Sequence, residues 1–163
     1  MIETKENWNI GWFFDLDRTL INPIFENKGD FKRLLIKSEI SEMIRIFKQI
    51  KTVDDVYILT GRDLILRDEI SDYLQISPER VITKDIYLGK GEMEKVDDSG
   101  EALEKFLGDL VDFKVRILNH YAKNYDHIIF FEDLAKRFSG KNLADNISVF
   151  LPTISYHQDK NFS

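Results

Sequence analysis

A chain of 163 residues with 43% apolar and 32% charged residues has the size and composition of one globular domain rather than of a disordered segment. It contains no cysteine, which excludes disulfide scaffolds, thiolate zinc sites and cysteine nucleophiles. The net charge of −6 argues against broad, non-specific binding of nucleic acid, although it leaves room for a local basic groove.

The sequence carries no sign of a secretory or membrane-spanning segment. Residues 1–7 contain acids where a secretory signal would have a basic region followed by an apolar stretch. Apolar runs are four or five residues long, and a bilayer span needs roughly 20. We therefore expect a soluble, cytoplasmic protein that has no membrane partner. We also expect residues 1–163 to form a single domain, with fraying at the first residues and at the tail from Ser155.

Apolar runs and helical spacings alternate along the chain. Short apolar runs predict buried strands, and apolar residues three or four apart predict helices. In chain order these are strand 9–14, helix 41–50, strand 53–59, helix 64–74, strand 80–83, helix 100–123, strand 127–131 and strand 147–151. Strands that alternate with helices indicate βαβ units. The fold class predicted is α/β, with a Rossmann-like parallel sheet between two layers of helices.

Two longer stretches separate these elements. Residues 22–37 link the first strand to its helix, and residues 85–99 form a polar segment with paired glycines. Connections of this length are usually functional or mobile. Neither is long enough to fold as a separate cap domain, so we expect a minimal cap or none.

Polar residues follow three of the predicted strands at the point where each strand ends. They are Asp15 and Asp17 after the first, Thr60 and Gly61 after the second, and Glu132 and Asp133 after the fourth. Ligands of open parallel sheets lie beyond the carboxyl ends of the strands. Carboxylates gathered there repel one another unless a cation lies among them. Oxygen ligands suit a hard cation, so the pattern predicts a Mg²⁺ site.

These motifs resemble the haloacid dehalogenase-like superfamily of phosphohydrolases. Residues 13–20, Phe-Phe-Asp-Leu-Asp-Arg-Thr-Leu, are similar to its first motif, Asp-x-Asp-x-Thr after an apolar strand. Residues 58–62, Ile-Leu-Thr-Gly-Arg, look like its second motif, and residues 131–133, Phe-Glu-Asp, look like its fourth. The third motif is a lysine, for which Lys114 on the long predicted helix is our choice and Lys84 the main competitor.

The resemblance implies a role for each of these residues. Asp15 would attack phosphorus and form an aspartyl-phosphate, and Asp17 would act as general acid and base. Catalysis would also use Thr60 and Lys114, and substrate would be bound by Thr60, Gly61, Lys114 and Arg62. The implied magnesium ligands are Asp15, Asp133, the backbone carbonyl of Asp17, and Glu132 through a water molecule or as an orienting group.

The sequence indicates the substrate less clearly than it indicates the reaction. Without a cap the site would be open, which favours a large phosphorylated substrate. Residues 14–23, 81–84, 112–114 and 129–133 are similar to the haloacid dehalogenase-type domains of the Swiss Army Knife RNA-repair group, which are predicted to remove phosphates from RNA ends. That group follows its Glu-Asp pair with Arg and His, where this chain has Leu134 and Arg137. RNA, polynucleotide or nucleotide phosphates are one expectation. The alternatives are a protein or small-metabolite phosphatase and a non-catalytic binding or regulatory domain.

Overall fold

The protein is described here by a computed structural model that covers residues 8–24, 33–84 and 100–152. In chain order its elements are β1 (Ile10–Phe14), β2 (Ile21–Pro23), β3 (Ile36–Glu39), α1 (Ser41–Ile50), β4 (Asp55–Thr60), α2 (Arg67–Leu74), β5 (Val81–Thr83), α3 (Gly100–Ala122), β6 (His127–Phe131) and β7 (Ile147–Phe150). Single 3₁₀ turns lie at Leu64–Leu66, Pro78–Arg80 and Ala135–Phe138. None of the helices in this part of the chain combines the length and apolar character needed to cross a bilayer.

The main sheet is parallel, and its strand order reverses at β1. The order is β5-β4-β1-β6-β7, with every neighbouring pair parallel. The chain builds outward from β1 through β4 to β5, and after α3 it builds outward on the other side through β6 to β7. Such a reversal opens a crevice at the carboxyl ends of the two strands that flank it, here β1 and β6. The predicted α/β, Rossmann-like sheet is confirmed.

The two faces of the sheet are covered by different helices. Successive residues of a strand point to opposite faces, and in β4 Val56 and Ile58 pack with α1 and α2 in one core. Tyr57 and Leu59 pack in a second core with residues of α3. The apolar runs are therefore continuous rather than alternating, because both faces of each central strand are buried. This confirms the two helical layers that the sequence predicts.

The connection after β1 holds structure that the sequence analysis did not predict. Residues 22–37 were expected as a linker, but β2 and β3 pair antiparallel there, with Ile21 opposite Glu39 and Asn22 opposite Ser38. The strands have only three and four residues, and the register shifts at Pro23. Strands so short, one of them containing proline, give no readable alternation. Residues 85–99, residues 1–7 and the tail from Ser155 lie outside the described residues.

Candidate active site

A tight loop after β1 holds the first two acidic residues. The amides of Thr19, Leu20 and Ile21 all donate to the carbonyl of Leu16, at 3.3, 3.0 and 3.2 Å. Arg18 takes the left-handed conformation, with φ of 62°, and so lets the chain turn back on itself. Leu16 and Leu20 are fully buried and anchor the loop in the core. The loop therefore fixes the backbone of Asp15 and Asp17 at the carboxyl edge of the sheet.

Asp15 lies in the crevice between β1 and β6. Its amide donates to the carbonyl of Phe131 at 2.9 Å, which extends the ladder of the two strands by one residue. Its carboxyl group, 7% exposed, accepts a hydrogen bond from Nζ of Lys114 at 3.0 Å. Nζ of the same lysine donates to Oε2 of Glu132 at 2.8 Å. Helix α3 thus delivers one buried cation to two carboxyl groups that come from neighbouring strands.

A third carboxyl group completes this cluster. Oxygen atoms of Asp15, Glu132 and Asp133 lie within 4.8 Å of one another, and we call these three residues the acidic group. Glu132 is held by its amide, which donates to the carbonyl of Phe150 at 3.0 Å. Glu132 is buried and Asp133 is partly exposed. The group therefore has one side in the protein and one side toward the open edge of the sheet.

The acidic group holds more negative charge than its surroundings favour. Burial, and then the charge of Glu132, raise the pKa of Asp15 to about 7, although Lys114 opposes the shift. Burial and the charge of Asp15 likewise raise the pKa of Asp133 to about 7. Burial raises the pKa of Glu132, again against the effect of Lys114. One lysine does not balance three carboxylates, so the cluster favours either a bound proton or a second cation.

Burial lowers the pKa of Lys114, but the charges of Asp15 and Glu132 outweigh burial and raise that pKa above its ordinary value. The lysine therefore carries its positive charge at neutral pH. A fixed positive charge beside Asp15 is what a dianionic phosphate ester needs in order to approach a carboxylate.

The donor set of the acidic group fits Mg²⁺. All three residues offer carboxylate oxygens, the hard ligands that this ion prefers. A divalent cation would also relieve the repulsion that raises the pKa of Asp15 and Asp133. Both oxygens of Glu132 already accept hydrogen bonds, one from Lys114 and one from the amide of Leu134. Lys114 bonds to only one oxygen of Asp15, so Asp15 and Asp133 are the residues best placed to hold the ion directly.

Asp17 and Arg62 face each other at the rim of the site. The Nε and terminal nitrogen of Arg62 donate to the two carboxylate oxygens of Asp17, both at 2.8 Å. The carboxylate of Asp17 therefore lies outside the acidic group, and any contact of Asp17 with a metal would use its backbone carbonyl. Arg62, expected among the substrate-binding residues, binds a neighbouring carboxylate in this structure.

Thr60 and Gly61 end β4 beside helix α3. The hydroxyl group of Thr60 is fully buried and accepts a hydrogen bond from the amide of Arg62 at 3.1 Å. A side chain at Gly61 would bring its Cβ to 2.8 Å from a methyl group of Leu110 on α3. The absence of a side chain at Gly61 therefore lets the helix that carries Lys114 lie close to the strand end.

The structure separates the two candidate lysines. Lys114 bonds to Asp15 and Glu132, whereas Nζ of Lys84 lies 5.8 Å from the centre of the Phe106 ring. The backbone amide of Lys84 donates to the carbonyls of Thr60 and Arg62, both at 3.1 Å, and so holds the turn after β4. Of the two, Lys114 occupies the place that a lysine acting on Asp15 requires.

Six of the eight predicted site residues thus fall into two groups, and Thr60 and Gly61 lie at the end of β4. Asp15, Lys114, Glu132 and Asp133 meet in one cluster, and Asp17 and Arg62 form a pair beside the end of β4. The pairing of Asp17 with Arg62 was missed by the sequence analysis. Opposite charges at the ends of two adjacent strands were the available signal, but the signal does not distinguish an arginine that binds substrate from one that binds aspartate.

Comparisons with known proteins bear on the fold. No protein-family model matches the chain, and no curated protein matches it. Among solved structures, the chain is similar to the structure of DsGPDH of Dunaliella salina, with a TM-score of 0.50 and 15% sequence identity. The match covers 86% of this chain, which spans only 23% of the length of that protein. A likeness at this identity concerns the arrangement of strands and helices alone.

Proposed function

We propose that this chain is a magnesium-dependent phosphomonoester hydrolase of the haloacid dehalogenase-like type, in which Asp15 is the nucleophile. One observation carries the proposal: a buried lysine, Lys114, lies 3.0 Å from the carboxyl group of Asp15 in the crevice where the strand order reverses. Asp133 lies in the same cluster, as a metal ligand would. The ordered motifs of the sequence, each at the end of a strand, support the same reaction.

The chemistry divides into two steps. In the first, an oxygen of Asp15 attacks phosphorus, the bond from phosphorus to the ester oxygen breaks, and Asp17 gives its proton to the departing alcohol. In the second, Asp17 takes a proton from water, the water oxygen attacks the aspartyl-phosphate, and the carboxylate of Asp15 is regenerated. The sum is one ester and one water converted to one alcohol and one phosphate.

The remaining residues hold charge and position. Mg²⁺, when held by Asp15 and Asp133, would supply positive charge for the phosphoryl oxygens. Lys114 adds a second positive charge beside the nucleophile, and Glu132 keeps the lysine in place. The Thr60 hydroxyl and the Gly61 amide are the groups we assign to the phosphoryl oxygens.

Hydrolysis of an aryl phosphate with and without Mg²⁺ tests the proposal. We expect turnover that requires the metal and that falls at least about 100-fold in Asp15→Asn, since the amide is not a nucleophile. Asp112→Asn, which alters an exposed aspartate of α3, is the control and should keep the wild-type rate. Equal rates in the wild type and Asp15→Asn would exclude the proposed function. Binding of phosphate with Mg²⁺ but no turnover would favour the non-catalytic alternative.

A substrate panel addresses the narrower proposal of an RNA-end or nucleotide phosphatase. It compares oligonucleotides with 2′-, 3′- or 5′-phosphates, free nucleotides, phosphopeptides and small phosphorylated metabolites. Preference for a nucleic-acid end would support the resemblance to the RNA-repair group. Equal or better use of phosphopeptides or metabolites would point to a protein or small-metabolite phosphatase instead.

A further inference from the structure

The two faces of the main sheet are covered to different extents. The core on the α3 side contains residues of all five strands, from Ile82 of β5 to Val149 of β7. The core that α1 and α2 form on the other side draws on β1, β4 and β5, and of β6 and β7 it includes only Phe131. The helices that the structure describes therefore leave one face of β6 and β7 without a cover.

The strand registers show which side chains form this uncovered area. In β6, Ile128 and Phe130 are fully buried on the α3 side, so the residues that alternate with them point to the other face. In β7, Ile147 and Val149 pack on the α3 side in the same way. The pairing of β1 with β6 and of β6 with β7 sets the remaining side chains next to one another. We call these residues the open face: Trp12, His127, Ile129, Phe131, Ser148 and Phe150.

The open face is apolar and carries no fixed charge. Phe131 stacks on Trp12 with 6.4 Å between ring centres and lies 6.1 Å from the ring of Phe150, so three rings form a row. His127 and Ser148 bond to each other, with Nε2 and Oγ 2.9 Å apart. None of the six residues is an acid, a lysine or an arginine, and 48% of Phe150 is exposed. Exposed apolar area that continues onto an inner strand of a sheet indicates that another surface packs there.

The shape of this region fits a second copy of the chain. A helix with its side chains is about 10 Å across, and two stacked sheets also lie about 10 Å apart. The half of the sheet under α1 and the open face beside it therefore form a step one layer high. A two-fold axis parallel to the strands fits two such steps together, because each open face then lies on the other. An axis across the strands would instead place one α1 on the other.

The same arrangement covers the edge of the sheet. No described strand pairs with the outer edge of β7, and free strand edges in proteins are usually shielded. With the axis parallel to the strands, α1 of each copy lies beside the β7 edge of its partner. One contact thus covers both the open face and the free edge.

Charge also favours a second copy over another kind of partner. The chain has a net charge of −6, so two copies repel one another over most of their surfaces. The open face has no acid, and a contact through it brings few of these charges together. A basic partner would bind where carboxylates are exposed, and the open face offers none.

We propose that the chain forms a two-fold symmetric dimer in which the open faces of two copies pack on each other. Every substitution in such a contact occurs twice, once from each copy. Because the axis runs parallel to the strands, the carboxyl edges of both sheets, with the two candidate sites, lie at the same end of the dimer. The inference does not rest on the proposed reaction, and either can fail without the other.

Sedimentation equilibrium of the full chain over a range of concentrations tests the dimer. We expect a reversible monomer–dimer equilibrium in the wild type. Phe150→Asp should raise the dissociation constant at least about 100-fold, because it buries a carboxylate in each half of the contact. Phe150→Thr removes the ring but suits a strand, and should raise the constant at least about ten-fold. The matched control is Ile65→Asp, which changes an exposed apolar residue beyond the end of β4 and should leave the constant within about two-fold.

Hydrogen exchange followed by mass spectrometry locates the contact. Peptides that cover β7 should exchange more slowly in concentrated than in dilute wild-type protein, and this difference should be lost in Phe150→Asp. Thermal denaturation shows whether each variant is folded. If Phe150→Asp does not fold, Phe150→Thr gives the comparison with the control.

Three results would overturn the inference. The first is a wild type that stays monomeric at every concentration. The second is a dimer that Phe150→Asp and Ile65→Asp weaken alike, since the contact would then lie elsewhere. The third is slow exchange of β7 that does not change with concentration, which would mean that the chain covers its own open face.

Discussion

Lys114 lies between Asp15 and Glu132 in a place where 2% of its side chain is exposed. Taking an ammonium group out of water is costly, and the negative charges of Asp15 and Glu132 offset that cost. The same contact affects the charge of Asp15, the nucleophile that we propose. At the scale of single residues, stability and the proposed chemistry therefore depend on the same charges.

Replacement of Lys114 by methionine tests this dependence. Lys114→Met leaves Asp15 and Glu132 without their cation and should lower the free energy of unfolding by about 3–5 kcal/mol at pH 8. Turnover should fall at least about 100-fold. The control is Lys141→Met, which breaks an exposed pair with Asp112 and should cost less than about 1 kcal/mol. Loss of turnover in Lys84→Met with turnover retained in Lys114→Met would show that Lys84, and not Lys114, acts on Asp15.

Neutralising Asp15 should stabilise the metal-free protein, and the gain should depend on pH. The pKa of Asp15 is raised from 3.8 to about 7, so ionisation is disfavoured in the folded state. The resulting loss of stability begins near pH 4, grows as pH rises through 7 and then levels off. Asp15→Asn avoids this loss. Its free energy of unfolding should therefore exceed that of the wild type by on the order of 1–4 kcal/mol at pH 8, and by far less at pH 4.5.

Urea denaturation in chelator at the two pH values measures this difference. Asp112→Asn, on an exposed part of α3, is the control and should show no comparable growth with pH. A destabilised Asp15→Asn at pH 8 would mean that the buried carboxylate is favoured in the fold without a metal.

The sequence could predict which residues lie together at the candidate site, but it could not predict their pairings. Asp15 and Thr60 follow apolar runs directly, and Asp133 follows one after Glu132. The carboxyl ends of parallel strands meet at one edge. The sequence does not separate Lys114, on a predicted helix, from Lys84, just after a predicted strand, because most lysines in either place are solvated. Only the packing of α3 against the sheet buries one of them beside Asp15.

At the scale of elements, the loop after β1 is held by several backbone constraints. Its three amides converge on one carbonyl, and Arg18 holds a positive φ without being glycine. An Asp-x-Asp-x-Thr pattern predicts neither feature. In particular, it gives no reason to expect a positive φ at Arg18, because most residues with a side chain avoid the left-handed region. The loop places Asp15 in the crevice and Asp17 opposite Arg62.

Substitutions at Arg18 should therefore follow backbone preference. Arg18→Val puts a β-branched residue at φ of 62° and should lower the free energy of unfolding by about 1–2 kcal/mol. Arg18→Asn should be neutral within about 0.5 kcal/mol, since asparagine tolerates the left-handed region. Thermal denaturation of both variants gives the comparison. Equal stability of the two would show that the loop relaxes out of this conformation.

At the scale of the whole molecule, the strand order determines where the chemistry can lie. The order β5-β4-β1-β6-β7 places the crevice between β1 and β6, and the acidic group comes from the ends of these two strands. Continuous apolar runs and helical spacings were sufficient to predict this parallel sheet. The β2–β3 pair escaped prediction because its strands are too short to show a period.

Metal binding should stabilise the whole fold, and protons should oppose it. On the proposed assignment, Mg²⁺ would compete with protons for Asp15 and Asp133, whose pKa values are both raised to about 7. The rise in Tm on adding the metal should therefore be larger at pH 8 than at pH 6. Asp133→Asn should remove most of the rise at both pH values. A rise in Tm that is the same at pH 6 and pH 8 would contradict the assignment of these carboxyls as ligands.

The most direct test of the central claim is to trap the phosphorylated enzyme. The protein is mixed with Mg²⁺ and 4-nitrophenyl phosphate, whose leaving group departs as an anion and needs no acid, then quenched in acid within the first turnover, digested and analysed by mass spectrometry. We predict that one phosphoryl group is found on the peptide that contains Asp15, and that the Asp17→Asn variant, impaired in the second step, accumulates more of it. Rapid release of phosphate with no phosphoryl group on that peptide in either protein would contradict Asp15 as the nucleophile.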